Sequence, residues 1–324
     1  MRRREFVTLL GGAAAAWPIV AGAQEPGRIY RLGSLHQAPH DAPQHAAFFA
    51  ELRNLGFIEG QNLAVERRGY GLGPAQFADL ARQQVKDRVD AFTCGGEAAV
   101  RAAQQATETI PILALADDLV GAGLALSLAK PGGNTTGVSI LATDLDGKRQ
   151  EILLEAVPGL RHMAALADPV TSTPGHLQAL QDAARARDVE LSIYRVANPE
   201  EIAPAIDSAR TAGATALNVL GSALLFNNRQ IVFQRVAALR LPAIYQWPEM
   251  AEQEGLLGYG PRLVHIYRDL MSRQLVKVLQ GTKPADIPVE QPTRFELVIN
   301  LQTANVIGHD IPAGLVLRAD KVIE

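Results

Sequence analysis

A single cysteine, Cys94, stands in the 324 residues, so no disulfide can close within the chain. Lysine and arginine do not cluster beyond the first four residues, and the net charge is −3. Nucleic acid is left without an electrostatic footprint. Cofactor and catalytic signatures are missing as well. Gly33-Ser34 leads into His36-Gln37-Ala38 rather than a G-x-G-x-x-G turn, and Gly147-Lys148 continues with Arg149 rather than the Ser or Thr of a phosphate loop. There is no G-x-S-x-G elbow, no H-E-x-x-H pair and no Cys/His cluster of metal spacing. No cofactor and no metal site are implied. The seven histidines are scattered. His36, His40 and His45 come nearest to a group, without the helical context of a zinc site, and read as surface loop residues.

What is present fits a globular protein with two cores: 48% hydrophobic and 20% charged residues over this length. The first 23 residues read as an export leader. Arg2-Arg3-Arg4 precedes an apolar, alanine-rich run from Leu9 to Val20, which ends on Ala21-Gly22-Ala23, the small-x-small pattern of a cleavage site. Arg3-Arg4 followed by Phe6-Val7 is similar to a twin-arginine signal. Removing three Arg and one Glu leaves 28 basic and 33 acidic residues, a net −5. No cysteine lies at the cut, so no lipid anchor is expected. The reading is a monomer free in the bacterial periplasm.

The mature chain alternates short apolar runs with amphipathic segments. Strands are expected at 29–35, 63–68, 89–94 and 112–116, with helices at 46–55, 74–85 and 98–107 between them. The series recurs. Strands at 163–167, 190–196, 216–220 and 243–245 are separated by helices at 177–186, 199–211 and 229–239. Ile110-Pro111-Ile112 and Leu241-Pro242-Ala243 introduce equivalent fourth strands. Such alternation gives parallel sheets with helices on both faces, joined by right-handed crossovers. The fold class is therefore α/β, as two similar lobes. A strand at 136–140 and a helix at 146–157 lead from one lobe to the other. After the second series come a strand at 256–259, a long helix at 263–279, an extended connector at 283–292, a strand at 295–299, a short helix from Gln302 and an irregular tail.

Open α/β sheets bind ligands beyond the C-terminal ends of their strands. The candidate site residues are therefore Ser34, Gly95, Gly96, Asp117, Asp118, Asp168, Ser172, Ser222, Tyr245 and Glu249. Asp117 and Asp118 act either as acid/base carboxylates or as caps of the following segment. Paired across a cleft with Glu249, they favour a cationic group such as an amine. Gly95-Gly96 admits a ligand to backbone N–H groups at a helix start. Tyr245 and Trp247 either stack on a flat ligand or fill the core.

Several long strings carry a family likeness. They are Gly56-Phe57-Ile58-Glu59-Gly60-Gln61-Asn62; Ser127-Leu128-Ala129-Lys130-Pro131-Gly132-Gly133-Asn134-Thr135-Thr136-Gly137; and Lys283 through Thr293, followed by Phe295-Glu296-Leu297-Val298-Ile299-Asn300. On these the chain resembles the solute-binding proteins of ABC transporters, in the branch whose best-studied members bind tryptophan or tyrosine. The resemblance implies a type I periplasmic binding fold with chain crossings near 139–143, 258–261 and 292–294. That divides the chain into residues 28–140 with 261–291, and 141–260 with 292–324. It implies a small-molecule ligand and an inner-membrane ABC permease as partners. Where family members usually carry Gly-Thr-Pro, this chain has Gly95-Gly96-Glu97, so a hydroxyl is lost and a carboxylate gained. The rival readings are an exported enzyme using Asp117 or Asp118, and a sensor domain reporting to a membrane kinase.

Overall fold

The computed structural model describes residues 27–140 and 142–324. The expected leader and its cut after Ala23 lie outside the described residues. So does residue 141 of the first expected crossing.

Two sheets organise the chain. The first is wholly parallel, in the order β2-β1-β3-β4-β5. Its strands are β1 (Tyr30–Leu35), β2 (Leu63–Val65), β3 (Ala91–Gly95), β4 (Ile112–Ala116) and β5 (Thr135–Ser139). Every residue of β4 and β5 is buried, as expected for strands covered on both faces.

The second sheet runs β12-β11-β10-β9-β8-β6-β7. It is built from β6 (His162–Ala167), β7 (Glu190–Arg195), β8 (Ala216–Val219), β9 (Ala243–Tyr245), β10 (Leu257–Gly260), β11 (Glu296–Asn300) and β12 (Lys321–Ile323). All its pairings are parallel except β10 with β11. The run β7-β6-β8-β9-β10 repeats the plan β2-β1-β3-β4-β5, so the repeat legible in the sequence is one of topology. Each sheet reverses its strand order at one point, between β1 and β3 and between β6 and β8. A crevice forms beyond the strand ends at such points.

The expected second strand through Arg68 stops at Val65. The Glu66 carboxylate accepts the Arg68 backbone N–H at 3.0 Å and bends the chain into a short 3₁₀ turn. The tail is not irregular: it contains a helix at Ala313–Val316 and ends as β12, paired with β11. Two further short helices follow strand tips, at Ala223–Asn227 and Pro248–Gln253.

The long helix of residues 263–279 is interrupted by a π-helical stretch at Ile266–Met271. It packs on the helix Pro43–Asn54 of the first half, with Tyr267 edge-on to Phe48 at 6.0 Å. The connector that follows runs along β5. Glu290 donates its N–H to Gly137 O and accepts from Ser139 N, both at 2.9 Å, while Thr136 Oγ1 donates to Ile287 O at 2.6 Å. A free sheet edge is thereby covered.

Candidate functional site

A cavity of about 700 Å³ lies between the two sheets, at their C-terminal strand ends. From the first sheet come His36 and Gln37 after β1, the Gly95-Gly96-Glu97 turn after β3 and Asp117 after β4. From the second come Asp168 after β6, Ser222 after β8, and Gln246 and Trp247 after β9. The halves touch directly at the rim, where Asn227 Nδ2 donates to Gln37 Oε1 at 2.8 Å.

Gly96 is required by shape. It holds φ +92 before the helix Glu97–Ala106, and a Cβ there would lie 3.8 Å from the Ala223 Cβ of the facing half. Its N–H is occupied by Leu115 O at 2.8 Å, so it is not one of the open donors expected of this turn.

Carboxylates dominate the polar lining. Asp168 is buried and accepts from Ser222 Oγ at 2.7 Å and from Val170 N at 2.8 Å. Ser222 also caps its helix, accepting from Leu225 N at 3.3 Å, and its own N–H goes to Gln246 Oε1 at 3.1 Å. Burial, helped by the negative charges of Glu97, Asp146 and Asp168 and opposed by Arg149, pushes the Asp117 carboxyl up to about 7. Glu97 is raised too, first by burial and then by Asp118 and Asp168, against the pull of Arg101. Asp146, behind the cavity, is fully buried and paired with Arg149 at 2.5 Å. Among the described residues no lysine or arginine lines the cavity.

The apolar part is an aromatic cluster that includes two histidines. His36 and His45 are both buried, against the expectation of surface loops. His36 stacks on Tyr70 at 5.0 Å and meets His45 at 4.8 Å, and His45 meets Tyr267 at 5.1 Å. His36 Nε2 pairs with Thr93 Oγ1 at 3.1 Å, and His45 Nδ1 with Pro39 O at 2.7 Å. Burial drives His36 well below the usual imidazole range and His45 down to about 4, so both rings are neutral at pH 7. A signal was available for His45: with Phe48 and Leu52 it follows the three- and four-residue spacing of a buried helix face. On the other side Trp247 is buried and edge-on to Phe226 at 6.1 Å.

Five expected site residues lie elsewhere. Ser34 is sealed beneath Tyr70, whose hydroxyl it meets at 3.2 Å. Asp118 faces solvent and caps its own turn, accepting from Val120 N at 3.1 Å and Gly121 N at 2.9 Å. Ser172 is buried, with its N–H on Asp168 O at 2.9 Å, and does not line the cavity. Tyr245 packs on Phe233 at 5.1 Å and does not line the cavity. Glu249 lines a second cavity of about 730 Å³ beside Arg229 and Arg262, and so does not oppose the aspartates. Its carboxylate accepts from Val264 N at 3.5 Å, and burial raises its pKa.

Among the described residues no group of three or more His, Cys, Asp or Glu could hold a metal ion, and no helix is long and apolar enough to cross a membrane. The chain is 25% identical over 268 residues to a tyrosine-binding protein of Clostridioides difficile (strain R20291), covering 80% of this chain and 75% of that one. Its fold is similar to an ABC domain from Streptococcus pneumonia solved with L-Trp, at a TM-score of 0.79 and 22% identity, over 91% of this chain and 100% of that one. A conserved domain protein from Vibrio cholerae O1 biovar eltor is similar at a TM-score of 0.82 and 21% identity, with the same coverage. These likenesses fit two α/β halves of the type I periplasmic binding plan. The model of the ABC transporter substrate binding protein family matches residues 40–323, and the chain belongs to that family.

Proposed function

We propose that this member of the family captures a small aromatic solute bearing an amine, between two closing lobes, and delivers it to an inner-membrane ABC permease. One observation carries the reading: the cavity joins strand-tip carboxylates to buried aromatic rings from both halves. A site of mostly apolar walls with a few fixed polar groups suits a small ligand. The relatives point the same way, one being a tyrosine-binding protein and another having been solved with L-Trp. Asp117, Asp168, Gly95, Gly96 and Ser222 are the ligand-facing residues in this reading, joined by Glu97, Trp247, His36 and Tyr267.

The lobes are residues 28–140 with 261–291 and 141–260 with 292–324, and the solute bridges them only when they close. Closure is then a population shift driven by the extra contacts of the closed form. The protein works as a periplasmic monomer without nucleic acid or lipid, its leader removed near Ala23 after twin-arginine-like export. It has no catalytic step.

Thermal-shift screening of residues 24–324 tests this. A bound aromatic amine or amino acid at a hundredfold excess over its Kd adds about 2.7 kcal/mol, a rise of roughly 4 °C. A shift with sugars but none with aromatic solutes overturns the reading, and turnover of a bound solute would favour the enzyme instead.

A further inference from the structure

Building on that reading, we propose that the cleft prefers an aromatic amine lacking a carboxylate over the matching amino acid, and that Glu97 sets this preference. The charges around the cavity are one-sided. Glu97 and Asp117 come from the first sheet and Asp168 from the second, with no lysine or arginine facing them among the described lining residues. The nearest buried cation, Arg149, is fully enclosed and engaged with Asp146 at 2.5 Å and with Tyr259 O at 3.1 Å. The two histidines of the lining are neutral.

An amino acid brings a carboxylate that needs donors as well as relief from like charge. Several strand-tip donors are already spent inside the protein. Gly96 N goes to Leu115 O, Gly221 N to Asp146 Oδ1 at 3.2 Å, and Ser222 N to Gln246 Oε1. Ser222 Oγ is given to Asp168, Thr171 Oγ1 to Gly221 O at 3.0 Å and Asn227 Nδ2 to Gln37. A cation, by contrast, meets three carboxylates brought together by closure. The raised pKa of the Glu97 and Asp117 carboxyls, set first by burial and then by neighbouring carboxylates, is the same shortage of positive charge seen from the protein's side. Glu97 decides because it is the first residue of its helix, directly beyond the Gly95-Gly96 turn that brings the facing half close.

Calorimetric titration of residues 24–324 at pH 8 with tryptamine against tryptophan, and tyramine against tyrosine, tests the proposal. The amine of each pair is expected to bind at least about tenfold more tightly, and Glu97→Gln to narrow that ratio to about threefold or less. Glu97→Ala serves as the second variant should the glutamine form melt early. An amino acid that binds as well as or better than its amine overturns the charge preference while leaving the aromatic reading intact. An unchanged ratio in both variants removes Glu97 as its determinant. Binding of none of the four overturns both readings.

Discussion

The Asp117 carboxyl is pushed up to about 7 by its burial and by the negative charges of Glu97, Asp146 and Asp168, with Arg149 alone opposing them. Two pH effects of fixed sign follow. A folded state that keeps a proton which the unfolded chain releases above about 3.8 loses stability as pH rises from about 4 to about 7. His36 and His45, with lowered values, lose stability as pH falls below 6.5, so the two slopes oppose each other over much of that range. Affinity for a cation is the cleaner readout. A proton competes with the ligand at Asp117, so binding weakens as pH falls through about 7, by up to about tenfold per unit below it, and calorimetry at pH 8 and 5.5 checks this. An affinity flat across that span excludes Asp117 from the contact. At this scale the sequence was half legible. Gly95, Gly96, Asp117, Asp168 and Ser222 could be found because each lies within two residues of the end of an apolar run. One position decides the rest: Asp118 is a single residue beyond Asp117, yet its carboxylate turns out to cap Val120 and Gly121. Tyr245, still inside β9, packs on Phe233 and does not line the cavity.

Elements were more legible than residues. Apolar runs gave β4 and β9 their bounds, and β1, β3, β6 and β8 theirs to within two residues. Short pieces held by one cap or one pairing were missed. The helix at Ala223–Asn227 depends on Ser222, and β12 on β11. The π-helical stretch at Ile266–Met271 has no sequence signature of its own. β5 offers a test at this scale. Gly137 holds φ +148, and a Cβ there would stand 1.9 Å from Ala114 O in the neighbouring strand. Gly137→Ala is expected to cost at least about 2 kcal/mol, read as a lower urea midpoint. The folded fraction should bind ligand as before, since Gly137 lies outside the cavity lining. An unchanged midpoint would mean that β4 and β5 can separate without penalty.

The molecule as a whole is two copies of one plan facing each other, joined at the rim by the hydrogen bond from Asn227 to Gln37. A half-buried hydrogen bond of this kind contributes about 1 kcal/mol. Asn227→Ala is therefore expected to shift the empty protein toward the open form and to weaken ligand binding about two- to tenfold. Small-angle scattering of the ligand-free variant should show a larger radius of gyration that returns to the parent value at saturation. Identical scattering from the two empty proteins would mean that the bond has no part in closure.

The threading of the chain through the first half has a consequence in time. All five strands of that half are present once residue 139 has been made, yet the helix that packs on Pro43–Asn54 and the stretch that pairs with β5 lie near residues 263–290. At ordinary rates of synthesis the ribosome needs roughly ten to thirty seconds more to supply them. Through that interval the earlier half waits with one flank bare, and any carrier that shields the nascent chain must hold it until nearly the last tenth has emerged.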